Sequence, residues 1–203
     1  MAAEKSQTKG SFCANMIPFD IVTLPTERLT LRLLTDSDTQ ALFEIFSHPE
    51  VMRFWSSPPL TDLIQVQQML ASFYEDYSTR NALHLGIERQ AGNVLMGACT
   101  LYHFHFKSRR AELGYALGRP FWGSGYIHEA LEAFITYAFE TLDLNRLEAD
   151  IDPRNLASAK TLERLGFQQE GLLRERWIVN GEVSDTGFYG LLRRDWLELH
   201  SDA

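Results

Sequence analysis

The chain has 203 residues, 45% of them hydrophobic and 12% aromatic, and a net charge of −8 at pH 7. That is enough apolar material for one substantial core, and too acidic a balance for a protein whose main task is to neutralise nucleic-acid phosphates. Cys13 and Cys99 make neither a disulfide framework nor a zinc site. Met1 to Lys9 lacks the apolar core of a secretory leader and no apolar run is long enough to span a bilayer, so the expectation is a reduced, cytoplasmic protein without a membrane partner.

Residues 1–24, small and polar with Pro18 near their end, read as an N-terminal arm ahead of one domain over 25–198, with 199–203 as a tail. Leu29, Leu31 and Leu33 alternate along a first strand from Thr26 to Leu33. Thr35 to Asp38 offers caps for a helix through Ala41, Leu42, Ile45 and Phe46 that stops before Pro49. Val51 to Trp55 suits a short helical turn. After the Ser56-Ser57-Pro58-Pro59 break, Thr61 or Asp62 caps a longer helix through Val66, Leu70 and Phe73. This helical part is where a substrate-binding flap is expected.

Strands are predicted at His84 to Arg89 and Val94 to Phe106, joined by a turn at Gln90-Ala91-Gly92-Asn93, and then at Arg110 to Leu117. Arg146 to Ile151 is a fifth strand. A helix through Ala159, Leu162 and Leu165 then ends at Gly166, and two last strands meet at Asn180-Gly181, a strong hairpin signal. The order predicts a single α/β (α+β) domain, with a mixed, mostly antiparallel sheet of about seven strands and about four flanking helices.

The stretch Pro120-Phe121-Trp122-Gly123-Ser124-Gly125-Tyr126-Ile127 joins the strand ending at Leu117 to a strongly periodic helix that runs on to Leu142. Two glycines let the backbone approach a ligand closely, and the first N–H groups of the helix lack internal partners. Together with the helix dipole these make an anion cradle. The same pattern also serves as a plain tight connection, and it lacks the Lys-Ser/Thr of a P-loop.

Four motifs in order, Glu112-Leu113-Gly114-Tyr115-Ala116-Leu117, Pro120-Phe121-Trp122-Gly123-Ser124-Gly125-Tyr126, Asp152-Pro153-Arg154-Asn155-Leu156-Ala157-Ser158 and Leu165-Gly166-Phe167, resemble the GNAT acetyltransferase superfamily, and more closely its Rim-type branch, which includes ribosomal-protein N-terminal acetyltransferases. The resemblance runs from about Thr26 to Trp196. It implies acetyl-CoA as co-substrate, an amine as acceptor, no metal, and a capacity to dimerise. Against the superfamily's Q/R-x-x-G-x-G/A motif, Trp122 replaces Gln/Arg, as is usual in this branch. Only Gly125 matches the consensus, and Ile127 departs from it.

The resemblance places the pyrophosphate on the N–H groups from Gly123 to Ile127, including Ser124 and Tyr126, and the pantetheine arm along Tyr115, Ala116 and Leu117. A backbone N–H of that strand would face the developing oxyanion. Asn155 falls where the family uses a cofactor-side asparagine, and it is also an ordinary helix cap. Glu112 is the candidate general base, on a strand face with Gly114 and Ala116, whose small size leaves room for substrate. The alternative for Glu112 is an ion pair with Arg109 or Arg110.

The family's thiolate-protonating tyrosine is absent, its position being Leu162. Ser158, one turn earlier, is left as the catalytic candidate, with a buried structural serine as the alternative. Trp177, Asp185 and Tyr189 are candidates for the amine pocket, with packing in the core or the last hairpin the expected role of Trp177. His103 and His105 share a strand face but lack a third ligand near them in sequence, so no metal site is expected.

The expected activity is acetyl transfer to a primary amine, a protein N-terminal α-amine first, by direct attack in a ternary complex. A small-molecule acceptor (polyamine, amino acid or antibiotic) is the rival enzyme. A non-catalytic acyl-CoA-binding module is the rival of a different class, favoured by Leu162 and Ile127 and opposed by Glu112 with the Asn155/Ser158 pair.

Overall fold

The computed structural model describes residues 22–201. Eight strands form one sheet: β1 (Thr23–Pro25), β2 (Leu29–Leu33), β3 (Leu83–Arg89), β4 (Val94–His105), β5 (Arg110–Leu117), β6 (Arg146–Ile151), β7 (Gln168–Val179) and β8 (Glu182–Leu192). Their spatial order is β1-β2-β3-β4-β5-β6-β8-β7, and every neighbouring pair is antiparallel except β5 with β6. Helices α1 (Thr39–Phe46), α2 (Pro49–Met52) and α3 (Leu63–Thr79) link β2 to β3. α4 (Tyr126–Thr136) links β5 to β6, α5 (Leu156–Arg164) links β6 to β7, and α6 (Arg193–His200) follows β8.

The helices divide between the two faces of the sheet because strand side chains alternate. Leu29, Leu31, Leu113 and Leu117 join Leu131, Phe134 and Phe139 of the α4 segment, Leu162 of α5 and Trp196 of α6 in one apolar cluster. Ala98 and Ala116 face the other way, against Leu42, Ile45, Val66 and Leu70 of α1 and α3. Burial of a side chain such as Phe134, with no exposed surface, contributes about 1.5–3 kcal/mol.

The single α/β domain with a mostly antiparallel sheet is as expected, but three elements differ. Thr23–Pro25, which falls partly in the predicted arm, pairs with Thr30 to Arg32 as the eighth strand; residues 1–21 of that arm lie outside the described residues. α6 reaches into the predicted tail. It buries Trp196 alone, beside Phe139 at 6.3 Å between ring centroids. The helix predicted to run to Leu142 widens into a π turn over Tyr137–Thr141. Local punctuation is where it was expected: the Asp62 carboxylate caps α3 through the Gln65 N–H at 3.0 Å, and Gly166, at φ 89°, ends α5.

One buried ion cluster ties β2 to the start of α1. Asp38 is 5% exposed and accepts two bonds from the Arg32 guanidinium at 2.8 Å and one from the Thr35 N–H at 2.8 Å, while Arg32 also reaches Glu88 at 2.7 Å. Burial alone would raise the Asp38 carboxyl; the Arg32 and Thr35 bonds outweigh it and hold the group below the ordinary range. A depressed carboxylate stabilises the fold above its unfolded value of about 3.9 and loses that contribution as pH falls through the lower folded value. The melting temperature should therefore hold down to about pH 5 and fall below about pH 4. Asp38→Asn should melt lower at pH 7, with the gap to wild type closing in acid. A gap independent of pH would refute this assignment.

Candidate active site

The cradle is assembled where β5 ends. After Leu117 the chain makes a short 3-10 turn at Arg119–Phe121, then passes Gly123 at φ 75° and Gly125 at φ 77°, conformations that side-chain-bearing residues rarely adopt. Gly125 caps α4, whose first bond runs from the Glu129 N–H to the Gly125 carbonyl at 3.2 Å. Among the described residues the N–H groups from Gly123 to Ile127 have no acceptor. They converge at the positive end of α4, which is the donor set an anionic diphosphate requires. The Ile127 side chain packs against the core, so the departure at this position leaves its N–H available.

Long-range contacts hold the turn. The Trp122 indole donates to the Leu117 carbonyl at 2.6 Å and lies under the Arg119 guanidinium at 4.9 Å. Arg28 donates to the Ser124 carbonyl at 3.1 Å and covers the Tyr126 ring at 4.6 Å. Glu129 accepts from Thr26 Oγ1 at 2.6 Å, the Arg28 N–H at 2.8 Å and Arg28 Nε at 2.6 Å. Arg28 thus offsets the Glu129 charge beside the cradle. No local sequence signal marks it, because its partners lie about a hundred positions away.

A cleft opens beside the cradle because β5 and β6 part company. They pair over Arg110–Glu112 with Arg146–Glu148 only, after which β5 stays with β4 as far as Leu117 and β6 stays with β8 as far as Ile151. From Leu113 to Leu117 one edge of β5 has no strand partner, which leaves backbone donors and acceptors for an extended ligand. Tyr115, Ala116 and Leu117 lie on that edge. The cleft holds about 930 Å³ and is lined among others by Thr100, Glu112, Gly114, Tyr115, Asn155 and Ser158.

Glu112 sits where the strands separate, its side chain 17% exposed, with Oε1 3.0 Å from His103 Nδ1. Neither arginine of the alternative reading reaches it: Arg109 bonds Asp143 and Arg110 bonds Glu148 at 2.6 Å. His103 reaches Glu112 because β4 is irregular between Tyr102 and His105, with His103 at φ 50°. His105 Nδ1 accepts the Ser108 N–H, and the described residues contain no group of three or more His, Cys, Asp or Glu side chains able to hold a metal.

Across the cleft, Ser158 is 8% exposed and its Oγ lies 2.6 Å from the Tyr115 hydroxyl. Burial pushes the Tyr115 phenol up to about 12, against a smaller lowering by Ser158, so it stays protonated at neutral pH. Asn155 caps α5 by accepting the Ser158 N–H at 3.2 Å, while Leu162 is fully buried in the core. Asp185 and Tyr189 do not belong to the cleft. Alternation along β8 turns Ser184 and Thr186 into it, leaves Asp185 accepting the Glu175 N–H at 2.8 Å, and buries Tyr189 in the core.

Two residues on the cleft walls, His84 and Arg176, were not singled out from the sequence. His84 Nε2 meets Asp76 at 2.9 Å, Nδ1 meets Thr100 Oγ1 at 3.1 Å, and the ring stacks on Phe73 at 3.7 Å. Burial lowers His84 despite Asp76, so the imidazole is neutral; with Nε2–H donated to Asp76, Nδ1 accepts from the Thr100 hydroxyl. The signal was a histidine inside the apolar run Ala82-Leu83-His84-Leu85. Arg176 lies on β7 beside Trp177, which lines the cleft where packing within the hairpin was expected.

Comparison with known proteins agrees with this geometry. An acetyltransferase (GNAT) domain model matches residues 28–168. The chain is 37% identical to the uncharacterized N-acetyltransferase p20 of Bacillus licheniformis, over 86% of this chain and 98% of that protein. It is 28% identical to the [ribosomal protein uS5]-alanine N-acetyltransferase of Escherichia coli, over 86% and 93%. The spermidine N-acetyltransferase of Vibrio cholerae, solved with CoA and spermine, shares the fold at a TM-score of 0.75 and 21% identity, over 84% of this chain and 98% of that one. With the glycine cradle, the parted strands and the carboxylate between them in place, the chain belongs to the GNAT acetyltransferase family and is an N-acetyltransferase that uses acetyl-CoA.

Proposed function

We propose that this enzyme acetylates the N-terminal α-amine of a protein, by direct attack of the amine in a ternary complex. Bound acetyl-CoA supplies an activated thioester. The N–H groups from Gly123 to Ile127 hold its diphosphate, and the free β5 edge from Tyr115 to Leu117 holds its pantetheine arm and offers an N–H to the developing oxyanion. Glu112 takes the proton of the incoming ammonium through a water; an α-amine, at about 8, needs only modest help. The Cys99 thiol is fully buried, and burial raises it further, which leaves it unsuited to a covalent route.

Ser158 and Tyr115 serve the leaving sulfur as hydrogen-bond donors. A phenol near 12 cannot fully protonate a thiolate of about 8.5, so the pair stabilises the sulfur and the proton follows from solvent. The position of Glu112 at the point where β5 and β6 separate carries the reading.

Five carboxylates, Asp76, Glu112, Asp150, Asp152 and Glu182, line the cleft against three arginines, Arg53, Arg154 and Arg176, so its walls attract an ammonium group, whether on a peptide or on a small molecule. A thiol-release assay with acetyl-CoA against peptides with free N-termini, polyamines and amino acids tests the proposed acceptor. Turnover on peptides is expected, unaffected by a chelator. Turnover on polyamines alone would replace the acceptor, and acetyl-CoA binding without thiol release from any amine would mark a binding module.

A further inference from the structure

Asp185 lies outside the cleft, yet it sits opposite a large irregularity in the cleft wall, on β7. Leu173 pairs with Thr186 and Trp177 pairs with Ser184, so three β7 residues, Arg174, Glu175 and Arg176, face the single residue Asp185. Glu175 at the centre of this bulge has φ 54°, a left-handed conformation with a steric cost for any residue but glycine, and its N–H is satisfied by Asp185 Oδ1 at 2.8 Å. In an unbroken strand Arg176 and Trp177 would point to opposite faces. Here both line the cleft, with Arg176 Nε 3.6 Å from Asp150 Oδ2 and its guanidinium 5.6 Å from the Trp177 ring centroid.

The geometry points to Asp185 as a positioning residue for acceptor recognition. Its carboxylate holds the bulge in the conformation that turns Arg176 and Trp177 together into the acceptor side of the cleft. A guanidinium beside an indole face, 38% exposed at Trp177, suits a peptide segment: the guanidinium donates to a backbone carbonyl and the indole covers an apolar side chain. The segment in question is the one that follows the reacting amine. This inference rests on the peptide-acceptor reading above.

In the full-length enzyme, Asp185→Ala should raise KM for an acceptor peptide by roughly five- to tenfold, the scale of one lost positioning bond, and leave kcat and KM for acetyl-CoA unchanged. Asp185→Asn, which keeps an acceptor oxygen, should stay near wild type. Glu175→Gly placed in the Asp185→Ala background should restore the KM, because glycine holds the left-handed conformation without the cap. An unchanged peptide KM would overturn the proposal. So would a parallel loss of kcat, acetyl-CoA affinity and melting temperature that Glu175→Gly fails to rescue, since that is general destabilisation.

Acrylamide quenching of Trp177, taken as the difference from matched Trp177→Phe variants, separates this inference from the acceptor reading. It should increase in Asp185→Ala and return with Glu175→Gly. If wild type acetylates no peptide, the acceptor reading fails while quenching still decides the bulge, and unchanged quenching sinks it.

Discussion

Replacing Glu112 with glutamine should lower kcat by roughly a hundredfold or more, the lower part of the range for losing a positioned general base. Glutamine keeps the size of the side chain and an oxygen within reach of His103 Nδ1, so the bonded geometry at 3.0 Å survives while the proton acceptor does not. The proposed acetyl-CoA site uses backbone groups of β5 and the α4 turn, so affinity for acetyl-CoA should be unchanged by calorimetry. His103→Ala is the companion variant. His103 is 70% exposed on its side chain, and its removal should cost far less than Glu112→Gln. Equal losses in the two variants would mean that the pair, and not the carboxylate, acts on the amine. Full activity in Glu112→Gln would remove the base assignment.

The second large effect is expected at Gly97, which the chemistry does not use directly. Gly97 pairs with Leu117 across the β4–β5 ladder, and a Cβ built there would overlap the Ala116 carbonyl oxygen and come within 3.1 Å of Leu117 Cα. These are backbone atoms, so no side-chain rotation relieves the clash and β5 itself must move. Gly97→Ala should cost energy at the upper end of the roughly 1–3 kcal/mol found for overpacking. That corresponds to a melting temperature lower by roughly 5–10 °C in a domain of this size. The displaced residues are the free edge along which the pantetheine arm is proposed to lie, so acetyl-CoA affinity should fall as well. Gly171→Ala is the control: no atom lies within 4 Å of its Cβ position, and little change is expected. An unaltered melting curve for Gly97→Ala would show that β5 yields more easily than its packing implies.

Much of the site was legible because its parts are local. The glycine turn, the Asn155 and Asp62 caps, the Gly166 stop and the Asn180-Gly181 hairpin depend on hydrogen bonds and dihedral angles within a few residues. The even face of β5, which carries Glu112 and Gly114 to the cleft, follows from strand alternation alone. Asp185 and Tyr189 fall outside the cleft because which face of β8 meets it is decided by the pairing of β8 with β6 and β7 and by a bulge on β7.

By itself, then, the sequence determined most of the elements, their caps and turns, and the places of the glycine turn and of Glu112 on β5, all governed by patterns that repeat within a few residues. Only the tertiary structure decided that β5 and β6 part after Glu112, that His103 and not an arginine reaches the carboxylate, and that Tyr115 meets Ser158 across the sheet edge. It also decided that Arg28 and Glu129 tie the cradle to the first hairpin. The reason is physical: strand register and bulges belong to pairs of strands, and one extra residue on either partner turns every following side chain to the other face.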